Sequence, residues 1–323
     1  MSHDAKTLVA RMGGVTEGLA AAEIFAPDAV IQLAHPFETL DLAGFEAKAL
    51  EPLRAAFPDL ERREVICIAG SDAAGATWVG VCGHWVGTFN APFLDFPPTG
   101  RAASIRFHDF FRIEDGKIVE MQGLWDLPEL MMQAGVWPMV PSLGREWLVP
   151  GPMTQDGLTV SGDGTAALDV VGDMLGHLGK NADGVKAMRL DAFWHPRCAW
   201  YGPAGIGTAR GIEGFRRHHQ IPFLSAMPDR VGDPAGGHFF AEGDYVGFTG
   251  WPGMSMTLSG PGWLGIPATG QKITMRSLDF WRVESGLIRE NWVLVDLLDV
   301  YAQLGVDVFS RMKEMPGWTS GSA

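Results

Sequence analysis

Residues 94–120 read LDFPPTGRAASIRFHDFFRIEDGKIVE, and residues 264–290 read LGIPATGQKITMRSLDFWRVESGLIRE, the same pattern displaced by 170 positions without a gap. Pro97/Pro267, Gly100/Gly270, Arg106/Arg276, Asp109/Asp279, Arg112/Arg282, Gly116/Gly286, Glu120/Glu290 and Asp126/Asp296 all coincide at that displacement. It also superimposes GFEAKALEPLRAAFPD, from Gly44, on GFRRHHQIPFLSAMPD, from Gly214. One offset held across apolar, charged and turn-forming residues is the mark of a duplication, and it constrains the fold more than any other feature.

The chain of 323 residues therefore divides into a first domain over 1–140, a linker over 141–165 and a second domain over 166–323. The linker contains VPGPMTQDGLTVSGDGT, rich in Gly, Pro, Ser, Thr and Asp and without hydrophobic period. Each copy has an ordinary domain size.

Within a copy, the pattern predicts helices first and a mostly antiparallel sheet after them, an α+β layout. Helical segments are expected over 7–24 and 169–193, and again over 44–57 and 214–227, the latter two stopped by Pro-Asp. Strands are expected over 64–69, 76–84 and 104–113. The Asp115-Gly116 pair after the last of these, matched by Ser285-Gly286, is a hairpin signal. Apolar residues at helical spacing close each copy over 126–136 and 296–306.

Charge and composition exclude several function classes. A formal net charge of −13, with no stripe of Lys or Arg, argues against nucleic acid or anionic membrane surfaces as partners. No apolar run approaches a membrane span, and the N-terminal residues lack the basic and apolar succession of a secretion signal. Cys67, Cys82 and Cys198 are odd in number and far apart, which fits reduced core thiols in a cytoplasmic protein. No phosphate-binding loop, nucleophile elbow or metal-ligand spacing occurs, so no metal, nucleotide or flavin cofactor is expected.

Proline-Pro-Thr-Gly at 97–100 followed by RxxDFFRIEDGKIVE, and its repeat from Pro267 through RxxDFWRVESGLIRENW, resemble the SnoaL-like polyketide cyclase (ester cyclase) family. Helices ending in FPD and MPD fit the same pattern. The resemblance implies, for each copy, an NTF2-like cone: a curved sheet covered by helices around an apolar pocket. It further implies association through sheets, so that a tandem chain forms an intramolecular pseudo-dimer.

Strand alternation places Ile105, Phe107, Asp109, Phe111 and Ile113 on one face and Arg106, His108, Phe110 and Arg112 on the other. In the second copy, Met275, Ser277, Asp279, Trp281 and Val283 share a face in the same way. Each copy thus sets one aspartate within an apolar face, where burial raises a carboxyl's pKa toward the range useful for acid–base work on a carbonyl. The family's aspartate-based ring closure implies that role for Asp109 and Asp279. The alternative is a structural aspartate paired with a buried Arg or Trp.

His84 ends a strand and is a candidate assistant to Asp109, its position being taken by Trp251 in the second copy. His35, Trp85, Phe107, Phe111, Trp125, Trp251, Trp281, Trp292 and His218 are candidate pocket residues, along with Phe89, Phe93 and Trp263 as possible wall aromatics. The expected activity is cofactor-independent proton transfer on a small apolar carbonyl compound, leading to cyclisation, isomerisation or dehydration. A protein that only binds an apolar metabolite is the alternative, because one scaffold hosts many functions.

Overall fold

A computed structural model of the chain describes residues 2–178, 188–233 and 236–315. In the first copy the strands are β1 (Phe25–Leu33), β2 (Glu38–Leu40), β3 (Glu61–Ser71), β4 (Thr77–Thr88), β5 (Ala102–Glu114) and β6 (Lys117–Trp125). The second contributes β7 (Trp194–Tyr201), β8 (Thr208–Arg210), β9 (Val231–Gly232), β10 (Gly237–Glu242), β11 (Tyr245–Thr257), β12 (Lys272–Glu284) and β13 (Leu287–Val295). They form two sheets of matching order, β2-β1-β6-β5-β4-β3 and β10-β11-β12-β13-β7-β8, with β9 beside β11. Only β1/β6 and β13/β7 run parallel; every other pairing is antiparallel. The architecture is α+β, as the pattern of the residues predicts.

Local chemistry sets the element ends. Asp115 and Gly116 (φ 47° and 72°), like Ser285 and Gly286 (φ 52° and 76°), adopt the left-handed conformation that a two-residue hairpin turn demands. The middle helix of each copy is continuous in space but contains one wide turn, at Glu46–Leu50 and Arg216–Gln220, just before Pro52 and Pro222. A proline inside a helix lacks its N–H and crowds the carbonyl four residues back, so the helix widens there. The closing helices, Leu127–Gln133 and Leu297–Gln303, stop where Gly135 and Gly305 turn left-handed (φ 73° and 76°).

Two expectations need amendment. The opening helix of the first copy is not continuous to residue 24: it comprises Ser2–Ala10 and Met12–Thr16, is broken by Gly18 at φ 104°, and gives way to strand β1. In the second copy helix occupies Thr165–Leu178 and Leu190–Phe193, and residues 179–187 of the expected segment lie outside the described residues. Strands β1 and β7 escape sequence patterning because their apolar residues do not alternate cleanly.

The two sheets pack against each other through the face that carries Arg106, His108 and Phe110. Phe110 and Phe280, equivalent residues of the two copies, stack with ring centroids 4.9 Å apart. His108 Nδ1 lies 2.7 Å from the Leu278 carbonyl. A Cβ at Gly80 would sit 2.9 Å from both phenylalanine rings, so this strand needs glycine to let them meet. Ile66, Ile68, Trp78, Leu124, Tyr201, Phe240, Leu278 and Trp292 complete a core built from both copies.

Polar clasps surround that core in near-symmetric fashion. Arg106, 1% exposed, donates to the carbonyls of Tyr201, Gly202 and Val293 and lies 3.6 Å from Asp126, which accepts from the Ala204 N–H at 2.8 Å. Arg276 donates to Asp296 at 3.0 Å, and Asp296 accepts from the His35 N–H at 2.8 Å. The segment over 141–165 is also pinned: Cys67 N–H donates to Gly157 O (2.9 Å), Trp292 Nε1 to Pro150 O (2.9 Å) and Lys6 Nζ to Val160 O (2.7 Å).

All three cysteines are buried, and burial pushes the Cys67 and Cys82 thiols up to about 12 and Cys198 up to about 11, which makes them inert core residues. Among the described residues no helix is long and apolar enough to cross a membrane.

Replacing Arg106 by Leu leaves Asp126 without its buried counter-charge and three carbonyls without a donor. Urea unfolding is expected to register a loss of about 3–5 kcal/mol. Arg63→Leu, at an exposed position, should stay within about 0.5 kcal/mol of the parent.

Candidate functional site

Asp109 and Asp279 occupy equivalent positions on β5 and β12, each facing the helix-covered side of its sheet, yet the two carboxylates live in different surroundings. In the first copy Arg62 on β3 reaches across to Asp109, Nη1 to Oδ2 at 2.7 Å, and Trp125 Nε1 donates to Oδ1 at 3.3 Å. The Arg62 side chain is 1% exposed and its guanidinium lies 3.9 Å from the Phe107 ring centroid and 4.9 Å from that of Trp85. Burial pushes the Asp109 carboxyl upward, and the guanidinium beside it works against that shift. This is the structural pairing with Arg and Trp.

Aromatic rings fill the rest of the first interior. Trp85 packs on Phe107 (5.0 Å) and edge-on to Trp125 (5.5 Å), and Phe37 closes on Trp125 (5.7 Å). Phe111 is fully buried among them. Trp85, Phe107, Phe111 and Trp125 thus lie on the expected face but act as filling.

The second copy keeps the backbone register and changes the filling. Phe107 opposite Trp125 becomes Ser277 opposite Val295. Trp85, paired with Ile105 and Arg62, becomes Met254, paired with Met275 and Gly232. Three large rings and the capping guanidinium are replaced by a hydroxyl, two aliphatic chains and a glycine. A cavity of about 140 Å³ results, walled by Met174, Trp194, Trp200, Phe223, Trp263 and Trp281 among others, with Asp279 on its surface.

Asp279 has Ser277 Oγ as a hydrogen-bond donor, 3.1 Å from Oδ1, and no cation within ion-pair distance among the described residues. Asp279 is half-buried, and it lines the cavity. Burial drives its pKa up to about 8, with Ser277 opposing. The proton is therefore held at neutral pH and released just above it. His219 stacks on Trp200 at 4.1 Å in the same wall, and burial lowers its pKa to about 3, so it is neutral.

Five candidates fall elsewhere. His84 pairs with Arg106 across β4/β5, whereas the residue opposite Asp109 is Val81; His84 therefore points to the inter-sheet face and cannot assist Asp109. Burial and Arg106 lower it to about 4. Trp251 lies under the Arg276 guanidinium (4.7 Å) on that same inter-sheet side. Trp292 packs on Tyr201 at 5.2 Å and donates to the Pro150 carbonyl, also outside the cone. His35 sits at the rim of the contact between copies, its ring 2.9 Å from Glu38. His218 is one residue out of phase: the helix turns His219, not His218, into the cavity wall.

Arg62, Gln220 and Arg230 are not among the sequence candidates. Their signal lies in comparing the copies position by position, where Leu60 becomes Arg230 and Arg62 becomes Gly232.

Asp279→Asn and Asp109→Asn should have opposite effects on stability. The folded pKa of Asp279 lies above its ordinary 3.8, so its stabilising contribution is complete below pH 4 and is lost as pH rises toward 8. The Asn variant lacks that loss, so urea titrations at pH 5 and pH 9 should show it gaining on the parent at the higher pH. Asp109→Asn strips Arg62 of its nearest counter-charge and is expected to cost about 3 kcal/mol at either pH.

No curated protein matches the chain. Among solved structures, IdmH from Streptomyces antibioticus is 25% identical over 40% of this chain and 98% of its own, with a TM-score of 0.33. TsrD from Streptomyces laurentii is 28% identical over 43% and 97%, at a TM-score of 0.34. An NTF2-like protein from Burkholderia xenovorans is 15% identical over 44% and 97%, at a TM-score of 0.34. The model of the SnoaL-like polyketide cyclase family matches twice, over residues 18–134 and 180–304. The chain belongs to the SnoaL-like polyketide cyclase family, as two tandem copies.

Proposed function

We propose that the second copy is a cofactor-independent acid–base catalyst acting on a small apolar carbonyl compound, and that the first copy is its structural partner in an intramolecular pseudo-dimer. The observation that carries this reading is the placement of Asp279, a carboxyl with a pKa of about 8, on the wall of an apolar cavity. A carboxylate of that basicity removes a proton α to a carbonyl more readily than an ordinary aspartate, and returns it to a neighbouring atom while still near neutral pH. Ring closure by carbon–carbon bond formation and isomerisation both begin with this abstraction. The family match supports the class of reaction and leaves the substrate open.

Aromatic walls suit a flat apolar body. Trp194, Trp263 and Trp281 present ring surface to the cavity, and Met174, Met188, Met254 and Met275 add side chains that adapt to an irregular outline. In the first copy the corresponding volume is filled and its aspartate is tied to Arg62, which is why catalysis is assigned to Asp279 alone.

A binding protein without turnover is the second reading. It draws on the lack, among the described residues, of a second group titrating near neutrality on the cavity wall, since His219 is held at about 3.

The two readings separate on one measurement, the exchange of α-hydrogens of 2-tetralone for deuterium, followed by NMR. The parent should accelerate exchange, and Asp279→Asn should reduce that acceleration by about 10²–10⁴-fold, while Asp109→Asn retains it at a temperature where it is folded. Because the base is the ionised form, the rate should rise with pH and level off above about 8. Exchange that is equally fast in Asp279→Asn would remove the catalytic assignment, and 2-tetralone that binds without accelerated exchange would favour the binding reading.

A further inference from the structure

The second-copy cavity is an electrostatic exception in an acidic chain. Among the described residues, its titratable wall groups are Arg230, Asp279 and His219. At pH 7 Asp279 keeps its proton and His219 lacks its second one, because burial disfavours the charged form of both. Arg230 remains a guanidinium under any ordinary condition, although burial lowers its pKa. The described residues of the wall therefore carry one net positive charge inside a protein of formal charge −13.

Four arginines of low exposure have carboxylate partners: Arg62 has Asp109, Arg106 has Asp126, Arg276 has Asp296 and Arg282 has Glu290. Arg230 has none within ion-pair distance among the described residues. Its Nη2 reaches the Leu178 carbonyl at 3.5 Å, the outer limit of a hydrogen bond. Arg230 is half-buried, and a guanidinium without a counter-ion beside a cavity is poised for an anion that enters it.

Unmet polar atoms on the same wall strengthen the case. Trp194 Nε1 and Trp281 Nε1 are buried donors without a partner among the described residues, and Gln220 Oε1 is a buried acceptor in the same condition. These side chains are 2%, 3% and 3% exposed. A purely hydrocarbon ligand would leave all of them unsatisfied, whereas a carboxylate accepts from the two indole N–H groups. In the first copy, where the interior is filled, the residue equivalent to Arg230 is Leu60, packed on the core.

We propose that the second-copy cavity selects apolar ring compounds bearing a carboxylate, with Arg230 as the anion receptor. The proposal rests on the reading of this cavity as the reactive site and names its substrate class. Carboxylate recognition by Arg230 places one end of the molecule and leaves the remainder to the aromatic walls. A neutral Asp279 avoids repelling the acid before proton abstraction begins.

The test is calorimetric titration of the full chain at pH 7 with 2-naphthoate and with 2-naphthamide, its uncharged analogue of nearly the same shape. The parent should bind the acid at least about tenfold more tightly than the amide. Arg230→Leu, which installs the first copy's residue, should weaken the acid by about tenfold and leave the amide within about twofold. Arg230→Lys keeps the charge and should retain part of the preference, which keeps the idea testable if the Leu variant does not fold. Equal affinity of the parent for acid and amide, an acid preference that survives in Arg230→Leu, or failure of both probes to bind would overturn the proposal. A preference that depends on Arg230, found together with tetralone exchange that does not depend on Asp279, would uphold carboxylate recognition and sink the catalytic reading.

Discussion

The stack of Phe110 on Phe280, with the arginine–aspartate clasps around it, commits one face of each sheet to the other copy. Burial of that shared apolar face is the largest stabilising contribution available to a contact of this kind. It also decides where a ligand can go. With the outer faces spent on each other, the space beneath the helices is what remains to each copy, and the chemistry of the molecule turns on how that space is filled.

The two copies have filled it in opposite ways on one backbone. Phe107, Trp125 and Trp85 close the first interior around the Arg62–Asp109 pair, and Ser277, Val295 and Met254 open the second around an Asp279 that has no cationic partner among the described residues. A carboxylate kept in apolar surroundings costs stability when ionised, and that cost is removed in the first copy by pairing with Arg62. In the second it is retained. Retained strain of this kind is what a group needs if it is to exchange a proton near neutral pH. Duplication makes the division possible, since one copy can carry stability while the other carries a destabilising constellation.

Much of this was legible in the residues. The 170-residue displacement, the hairpin signals at Asp115-Gly116 and Ser285-Gly286, and the alternation that put Asp109 and Asp279 on apolar faces all reappear in the structure. The alternation also separated Arg106 and Arg276 from the aspartates. What stayed hidden depends on contacts between strands distant in sequence. Arg62 meets Asp109 because β3 lies beside β4, a juxtaposition no local pattern encodes. His84 was misplaced because its face follows from the β4/β5 register, which a strand read singly does not reveal. Trp292 and Trp251 alternate like pocket residues, yet in a sheet covered on both sides an aromatic ring suits either face. The open cavity was partly readable, since Phe107→Ser277 and Trp125→Val295 are losses of volume at aligned positions.

The segment joining the copies has a consequence for solubility. Arg145 pairs with Thr208 through two backbone hydrogen bonds of 2.9 Å at the margin of one sheet, and Gly157 accepts from Cys67 at the margin of the other. An unpaired sheet margin is a template onto which another chain can add a strand. Here the connecting segment, irregular and rich in glycine and proline, occupies part of each template and offers little regular edge of its own in return. A connection that looks like slack in the sequence thus covers part of the margin of both sheets.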